Sequence, residues 1–443
     1  MRCARLERLG SIVVTPVSDH AASVCLDVGS TWTKAVLVHP DGALAGFAEH
    51  PTTTDDVLTG MDTCVRAVTA ASTGGGDEPE LLACSSAGGG LRLAVVGSDR
   101  LSTTEAGYRV ACSAGAHVVH IHSGPLEPAD VRALRTARPG VILLLGGSDG
   151  DDPALLLHNA GRLARARVRP PIVLAGNSVA RDDALALLRA TGRTVVTCDN
   201  VLPRLGEVAP GPARAAIAEL YQRHALGGRG SSAASRFQRL VRVVTPDAVG
   251  RGAQELARIR GSRVLLVDVG CATTDVHSAT AEHGPRRTVE GDLGVRAAAG
   301  GVLVEGQTEG VVDPVEADLL APTVARMASE VGFVPDNPGS AAEDRRIAAL
   351  AAVIAVRRHL RAQQDPGGIG LVVLTGGVFR QRGPGAELAA VVATLRTDPV
   401  LAAALTDVEV VVDADFTVAP AGLLATRGRT VAAEALLRDH LLG

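Results

Sequence analysis

The sequence contains a single lysine. Of its 44 basic residues, all but Lys34 are arginine, so nearly every cationic position tolerates a guanidinium. Aromatic residues make up 2% of the chain, too few for the stacking platforms that hold single-stranded nucleic acid. The formal net charge of −4 gives no pull toward a phosphate backbone, so nucleic acid is not an expected partner. The seven cysteines, at positions 3, 25, 64, 84, 112, 198 and 271, are odd in number and form no CxxC pair. That pattern argues against a disulfide scaffold or a zinc site and for reduced thiols in the cytoplasm. Spacing alone leaves open a cluster shared between two subunits. No apolar run approaches the roughly 18 residues of a membrane span, so no membrane association is expected. The arginine-bearing start, the short run Ser11-Ile12-Val13-Val14 and Pro16 make a poor secretion signal. Residues 1–20 read as a loosely held extension.

What is present points to a large globular α/β protein. A chain of 443 residues with 46% hydrophobic and 21% charged residues predicts about two to three domains. Its apolar runs are short and continuous rather than alternating: Val24–Val28, Val141–Leu145, Pro171–Ala175, Val264–Val269 and Leu371–Thr375. Runs of that length beside glycines suit strands covered on both faces. Helical stretches such as Ala180–Ala190 and Ala342–Arg361 lie between them. Strand alternating with helix predicts mixed α/β architecture. Two segments read as flexible, 71–80 and 226–235, the second marking a boundary near mid-chain. The expected organisation is a first domain over 21–235, with an α/β insertion near 115–205, and a second over 236–443.

Three strand-to-turn clusters carry the chemistry. In the first, Val24–Val28 carries Asp27 near its end and turns at Gly29 into Ser30, Thr31, Thr33 and Lys34. Glycine lets backbone approach a ligand, and hydroxyls, amides and one ammonium make a phosphate cradle. Asp27 suits a magnesium ion held through waters. The second cluster, Asp268-Val269-Gly270-Cys271-Ala272-Thr273-Thr274-Asp275, repeats the scheme without lysine. Asp268 would face the metal, Gly270 the phosphate chain, and Thr273 and Thr274 its oxygens. Two such turns across a cleft can clamp a triphosphate from both sides. The third, Leu371–Thr375 running into Gly376-Gly377, lets backbone approach a flat adenine–ribose.

This ordered set resembles the actin/Hsp70/sugar-kinase superfamily, and the resemblance implies two related actin-like (ribonuclease H-like) α/β domains with ATP or ADP and magnesium between them. A narrower resemblance covers most of the chain. It rests on Ser85-Ser86-Ala87-Gly88-Gly89-Gly90-Leu91-Arg92, Leu145-Gly146-Gly147-Ser148-Asp149-Gly150, Leu157-His158-Asn159-Ala160, Ala175-Gly176-Asn177, Asp199-Asn200-Val201, Glu290-Gly291-Asp292-Leu293-Gly294 and Ala419-Pro420-Ala421-Gly422-Leu423-Leu424. Together these resemble the MutL/GlmL family associated with glutamate mutase, which is distinct from the mismatch-repair protein of the same name. The resemblance implies an ATP-dependent accessory or reactivating factor, chaperone-like, whose partner is an adenosylcobalamin-dependent mutase or aminomutase. Carried over, the ATP motifs fall on Asp27, Gly29, Ser30, Thr31, Thr33 and Lys34, and on Asp268, Gly270, Thr273, Thr274 and Asp275. Cys271 stands where a second glycine is common in the superfamily.

The catalytic candidates are therefore Asp27, Lys34 and Asp268, with Asp27 and Asp268 as the metal carboxylates and slow hydrolysis as the expected reaction. Glu290 and Asp292 could orient water or touch the metal. His117, His120 and His122 share a segment where a metal or a plain surface role would fit. Asp275-Val276-His277 lacks the downstream glycine of a cobalamin lower-ligand motif, so base-off cobalamin is not expected on this chain. A small-molecule kinase of the same fold and a non-enzymatic nucleotide-binding scaffold remain alternatives. A homo-oligomer is left open.

Overall fold

The computed structural model describes residues 21–443 apart from 54–56, 71–77, 87–90, 99–102, 114–115, 167, 205–208, 210, 214, 218–219, 221–235, 238–239, 297, 331, 363–367, 381–384 and 406. The N-terminal extension, the glycine run 88–90 and the linker at 226–235 thus lie outside the described residues.

The first lobe opens with β1 (Ser23–Val28), β2 (Trp32–Val38), β3 (Leu44–Pro51), α1 (Val57–Ala70) and β4 (Glu80–Ser85). All six residues of β1 are buried, which is why its run is apolar without alternation. The chain then leaves for a separate sheet made of β5 (Leu91–Gly97), α2 (Thr103–Ser113), β6 (Ala116–Ser123), α3 (Pro128–Thr136), β7 (Val141–Leu144), α4 (Ala154–Arg165), β8 (Ile172–Leu174), α5 (Arg181–Arg189) and β9 (Val195–Thr197). It returns through β10 (Val241–Val244) and the long α6 (Thr245–Arg260). The second lobe follows with β11 (Arg263–Val269), β12 (Thr274–Ala279), β13 (Arg286–Glu290), α7 (Ala299–Thr308), α8 (Pro314–Ser329), α9 (Pro338–Arg361), β14 (Ile369–Thr375), α10 (Gly377–Arg380), α11 (Gly385–Thr397), α12 (Ala402–Leu405), β15 (Glu409–Val412), α13 (Val418–Thr426) and α14 (Thr430–Leu437).

The two lobes repeat one topology. Sheet order is β10-β4-β1-β2-β3 in the first and β15-β14-β11-β12-β13 in the second. In each, three strands form an antiparallel meander and two more join in parallel. The third sheet is wholly parallel in the order β6-β5-β7-β8-β9.

Two boundaries differ from the sequence expectation. The inserted sheet begins at β5, residue 91, rather than near 115. Only five residues separate β4 from β5, and although three of them are glycines, nothing in that run says that the strands on either side belong to different sheets. The expected break at 235/236 also falls within the first lobe, because β10 hydrogen-bonds to β4. Pairing partners remote in sequence decide both points.

The lobes meet where α6 and α13 cross. A shared core contains Cys25, Val36 and Cys84 of the first sheet, Leu266 and Val373 of the second, and Leu256, Leu424 and Leu436 from the helices. A Cβ on Gly422 would lie 1.8 Å from the Ala248 carbonyl oxygen, and one on Gly252 would lie 2.2 Å from that of Val418. The helices therefore touch backbone to backbone. Asp413 fixes the start of α13: its carboxylate accepts from the Thr417 amide at 2.6 Å and from Thr375 Oγ1 at 3.0 Å.

Inside the second lobe, His359 of α9 is 1% exposed and shares a 2.9 Å hydrogen bond with Thr288 Oγ1. Burial pulls its pKa from 6.5 to about 4. The folded state thus disfavours protonation. Stability is unaffected above the unfolded value and is lost as pH falls from 6.5 through 4, by an amount on the order of 3 kcal/mol. Denaturant titrations at pH 7 and pH 4.5 should show that decline, and His359→Gln should flatten it. An equal decline in both proteins would remove His359 as its cause.

Candidate functional site

The turns after β1 and β11 are built alike. The Gly29 amide donates to the Trp32 carbonyl at 3.0 Å, and the Gly270 amide donates to that of Thr273 at 2.9 Å. A Cβ on either glycine would fall within 3.0 Å of that same carbonyl, so each turn closes only with glycine. Gly376, at φ +133°, sits against the end of β11, where a Cβ would come within 2.3 Å of the Val269 carbonyl oxygen. All three turns line one cavity of 170 Å³. From the first lobe it receives Asp27, Gly29, Ser30, Thr31 and Lys34; from the second, Asp268, Gly270, Thr273, Gly376 and Gly377.

Two expected ligands do not line it. Thr33 is fully buried, with its hydroxyl 3.1 Å from Thr52 Oγ1, and Thr274 is fully buried, donating to the Leu293 carbonyl at 2.7 Å. Both lie on a strand, where successive side chains alternate faces. Their neighbours Lys34 and Asp275 face the cavity, so they face the core. Both hydroxyls brace the turns from behind.

The lobes differ at one equivalent position. Asp27 pairs in register with Lys34 across β1 and β2, whereas Asp268 pairs with Asp275 across β11 and β12. The first lobe therefore presents a carboxylate with an ammonium, and the second presents two carboxylates. Lys34 Nζ lies 2.9 Å from Asp27 Oδ2 and 5.2 Å from the centre of the Phe416 ring. Asp27 Oδ1 accepts from Thr245 Oγ1 at 2.6 Å. Both oxygens of Asp27 are thus engaged by protein donors, which makes it a holder of Lys34 and of the start of α6. In the second lobe, burial and the neighbouring Asp275 carboxylate push Asp268 up to about 7. Arg287 Nη2 donates to Asp275 Oδ2 at 3.1 Å, while Asp275 Oδ1 is buried without a partner.

Other lining residues carried little sequence signal. Thr245-Pro246 had one, a threonine and proline opening a helix after an apolar run. Arg287 had none, since only the pairing of β13 with β12 brings it beside Asp275. Arg380 closes α10 and reaches the other lobe, where Glu49 lies 3.5 Å away and the Phe47 ring 6.0 Å from its guanidinium carbon; the Phe416 ring of its own lobe lies 5.8 Å from that carbon. Glu290 and Asp292 do not line the cavity. Arg358 binds both, at 2.9 and 3.0 Å, together with Glu305 and Glu309. His277 is buried against Gly250 with both ring nitrogens unpartnered. His120 and His122 lie on β6, where His122 Nδ1 is 3.8 Å from Asp130. Among the described residues, no group of three or more histidine, cysteine or acidic side chains is arranged to hold a metal by itself. No helix among them is long and apolar enough to cross a membrane.

A second cavity of 370 Å³ adjoins the first and shares Trp32, Val269, Cys271, Gly377 and Arg380 with it. Phe47, Glu49, Phe333 and Asp415 are among the residues that line its remainder, with Arg296 held at its wall by Asp344. Cys271 is half-exposed between the two cavities. The buried Cys25 and Cys84 have thiols pushed to high pKa by burial, Cys25 up to about 12.

A duplicated sheet topology, a crossing-helix pair and glycine turns facing a common cleft define an actin-like protein of two lobes with an inserted parallel sheet. Within that class the chain belongs to the MutL family: a profile described as MutL protein matches residues 23–441. It is 34% identical over 300 residues to Protein MutL of Clostridium tetanomorphum, a match spanning 63% of this chain and 65% of that relative, just under two thirds of its length. Solved structures with a similar course include a nucleotide-free acetone carboxylase (14% identity, TM-score 0.38, 91% of this chain and 70% of that one). Others are a ROK family glucokinase from Streptomyces griseus with glucose and AMPPNP (12%, 0.36, 95% and 100%) and a PilM–PilN type IV pilus biogenesis complex (12%, 0.32, 94% and 98%).

Proposed function

We propose that this chain binds ATP and magnesium in the interlobe cleft, hydrolyses the nucleotide slowly, and acts as an accessory or reactivating factor for an adenosylcobalamin-dependent mutase or aminomutase. The observation that carries the nucleotide reading is the convergence of three glycine turns, from two lobes, on one cavity. Ser30, Thr31 and Thr273 supply hydroxyls to phosphate oxygens, and the turn amides and Lys34 supply the remaining donors. The adjoining cavity suits the nucleoside, with Gly377 at its wall and the Arg380 guanidinium lining it, where a flat base could lie against the cation. Magnesium takes one or two carboxylates and otherwise waters and phosphate oxygens. Asp268 and the unpartnered oxygen of Asp275 fit that demand, and Asp27 fits it only through waters because Lys34 and Thr245 hold it. When bound, the ion neutralises charge on the transferring phosphoryl group. Lys34, fixed by Asp27, steadies that charge from the first lobe.

The accessory role rests on family membership. Because the phosphate-facing turns belong to different lobes, losing the terminal phosphate removes a bridge between them and changes the surface offered to a partner. Capture from host extract with the immobilised chain should recover a cobalamin-dependent mutase with either ADP or a non-hydrolysable ATP analogue, but not with both. Equal recovery in the two states, or none, would remove the reactivating role. A metabolite kinase is the second reading, favoured by the unpartnered Asp275 oxygen, which could accept a substrate hydroxyl proton. ATP turnover rising sharply with one metabolite would decide for it.

A further inference from the structure

The inserted sheet is joined to the first lobe by two chain connections, one leaving at β4 and one returning to β10, and a packing contact among the described residues ties it to the second lobe. Its chain leaves the first lobe at the end of β4, where Ser86 lines the cavity. Its helix α2 lies against β13 of the second lobe, whose Arg287 and Val289 line the cavity from the other side. Both chain connections lie in the first lobe, whereas the link to the second lobe is a packing contact. Relative movement of the lobes therefore strains or remakes the α2–β13 contact.

β13 is an edge strand, bonded to β12 alone within its sheet. A strand paired on one side is easier to displace than a central one. Arg287 sits on it, one third exposed, giving Nη2 to Asp275. A guanidinium carries five N–H donors in a planar fork, so this bond leaves donors for a phosphate. The other cations lining the cleft are more firmly placed: Lys34 by Asp27 and the Phe416 ring, Arg380 by Glu49 and two phenylalanines.

Resting on the nucleotide reading above, we propose that Arg287 is a positioning residue that detects the terminal phosphate and passes its presence through β13 to α2. The inserted sheet then changes position with the nucleotide state. A triphosphate offers Arg287 the bidentate partner that guanidinium prefers. A diphosphate leaves Arg287 with Asp275. The insert, rather than either lobe, then carries the nucleotide-dependent face toward a partner.

Hydrogen exchange on the full chain tests this, after calorimetry has established uptake of ADP and of a non-hydrolysable ATP analogue with magnesium. Absence of uptake would sink the nucleotide reading and this proposal with it. Given uptake, peptides covering 103–113 and 286–290 should exchange at least threefold more slowly with the analogue than with ADP. Arg287→Gln should abolish that difference and weaken the analogue at least tenfold while changing ADP affinity less than twofold. Arg287→Lys, which keeps the charge and loses the fork, should restore part of the difference. Equal exchange of α2 in the two nucleotides for the parent chain, or a difference that survives in Arg287→Gln, would overturn the proposal and leave nucleotide binding standing.

Discussion

Lys34→Arg should fold like the parent chain and lose at least tenfold of its ATP hydrolysis, equivalent to about 1.4 kcal/mol or more of transition-state stabilisation. The expectation rests on the size of the space around Nζ. The ammonium lies between Asp27 Oδ2, 2.9 Å away, and the face of Phe416, 5.2 Å from its centre, and the side chain is 16% exposed. A compact point charge can satisfy the carboxylate, lie over the ring and still donate forward into the cleft. A planar fork with five donors cannot do so without turning its plane onto Asp27. The substitution keeps the charge and leaves Asp27 paired, which Lys34→Ala would not. Removing the ammonium outright strips a buried carboxylate of its cation and costs roughly 3–5 kcal/mol of stability, confounding activity with folding. The measurement is steady-state phosphate release alongside a thermal melt. Unchanged turnover in a folded Lys34→Arg protein would show that the amine has no special role, despite being the only lysine in the chain.

Gly422→Ala should be the most damaging glycine-to-alanine change among the described residues. The added carbon would lie 1.8 Å from the Ala248 carbonyl oxygen, 2.7 Å from its carbon and 2.9 Å from the Gly252 amide nitrogen. These are backbone atoms of α6, so no rotamer change relieves the contact. The helices must move apart at the place where the lobes are joined. Overpacking of this kind costs about 1–3 kcal/mol, occasionally more, and here the displacement also spreads the turns at Gly29 and Gly270. The expected result is a lower melting temperature together with a loss of nucleotide affinity larger than the stability change alone explains. Gly300→Ala is the control, since a Cβ there meets nothing within 4 Å; it should be neutral or mildly stabilising, as alanine is the better helix former. If Gly422→Ala melts and binds like the parent chain, the backbone contact of α6 with α13 is not what sets the spacing of the lobes.

The same contact explains why the stretch Ala419-Pro420-Ala421-Gly422 is so poor in large side chains. Small residues let α13 approach α6, and Cys25 Sγ donates weakly to the Pro420 carbonyl from β1 behind it, at 3.9 Å. The sequence displayed this motif without its reason. Glycine at 29, 270 and 376 was different: a strand running into glycine and hydroxyls announces a close backbone approach on its own terms.

What the sequence determined by itself was local. The apolar runs specified strands, because covered strands need apolar residues on both faces. The strand–turn clusters specified where backbone could approach a ligand. Which residues face that ligand was decided in three dimensions. Pleating sends Thr33 and Thr274 into the cores while Lys34 and Asp275 face the cleft. Strand register sets Asp27 against Lys34 in one lobe but Asp268 against Asp275 in the other, so repeated turns carry unlike charge. Edge pairing brings Arg287 in from a segment with no motif, and the end of α10 carries Arg380 across to Glu49. The limits of the insert are tertiary as well, since β4 and β5 are five residues apart yet hydrogen-bond into different sheets. A sequence encodes the conformational freedom of its own backbone directly. The neighbours of a side chain come from pairing and packing with residues hundreds of positions away, and only the assembled fold brings those together.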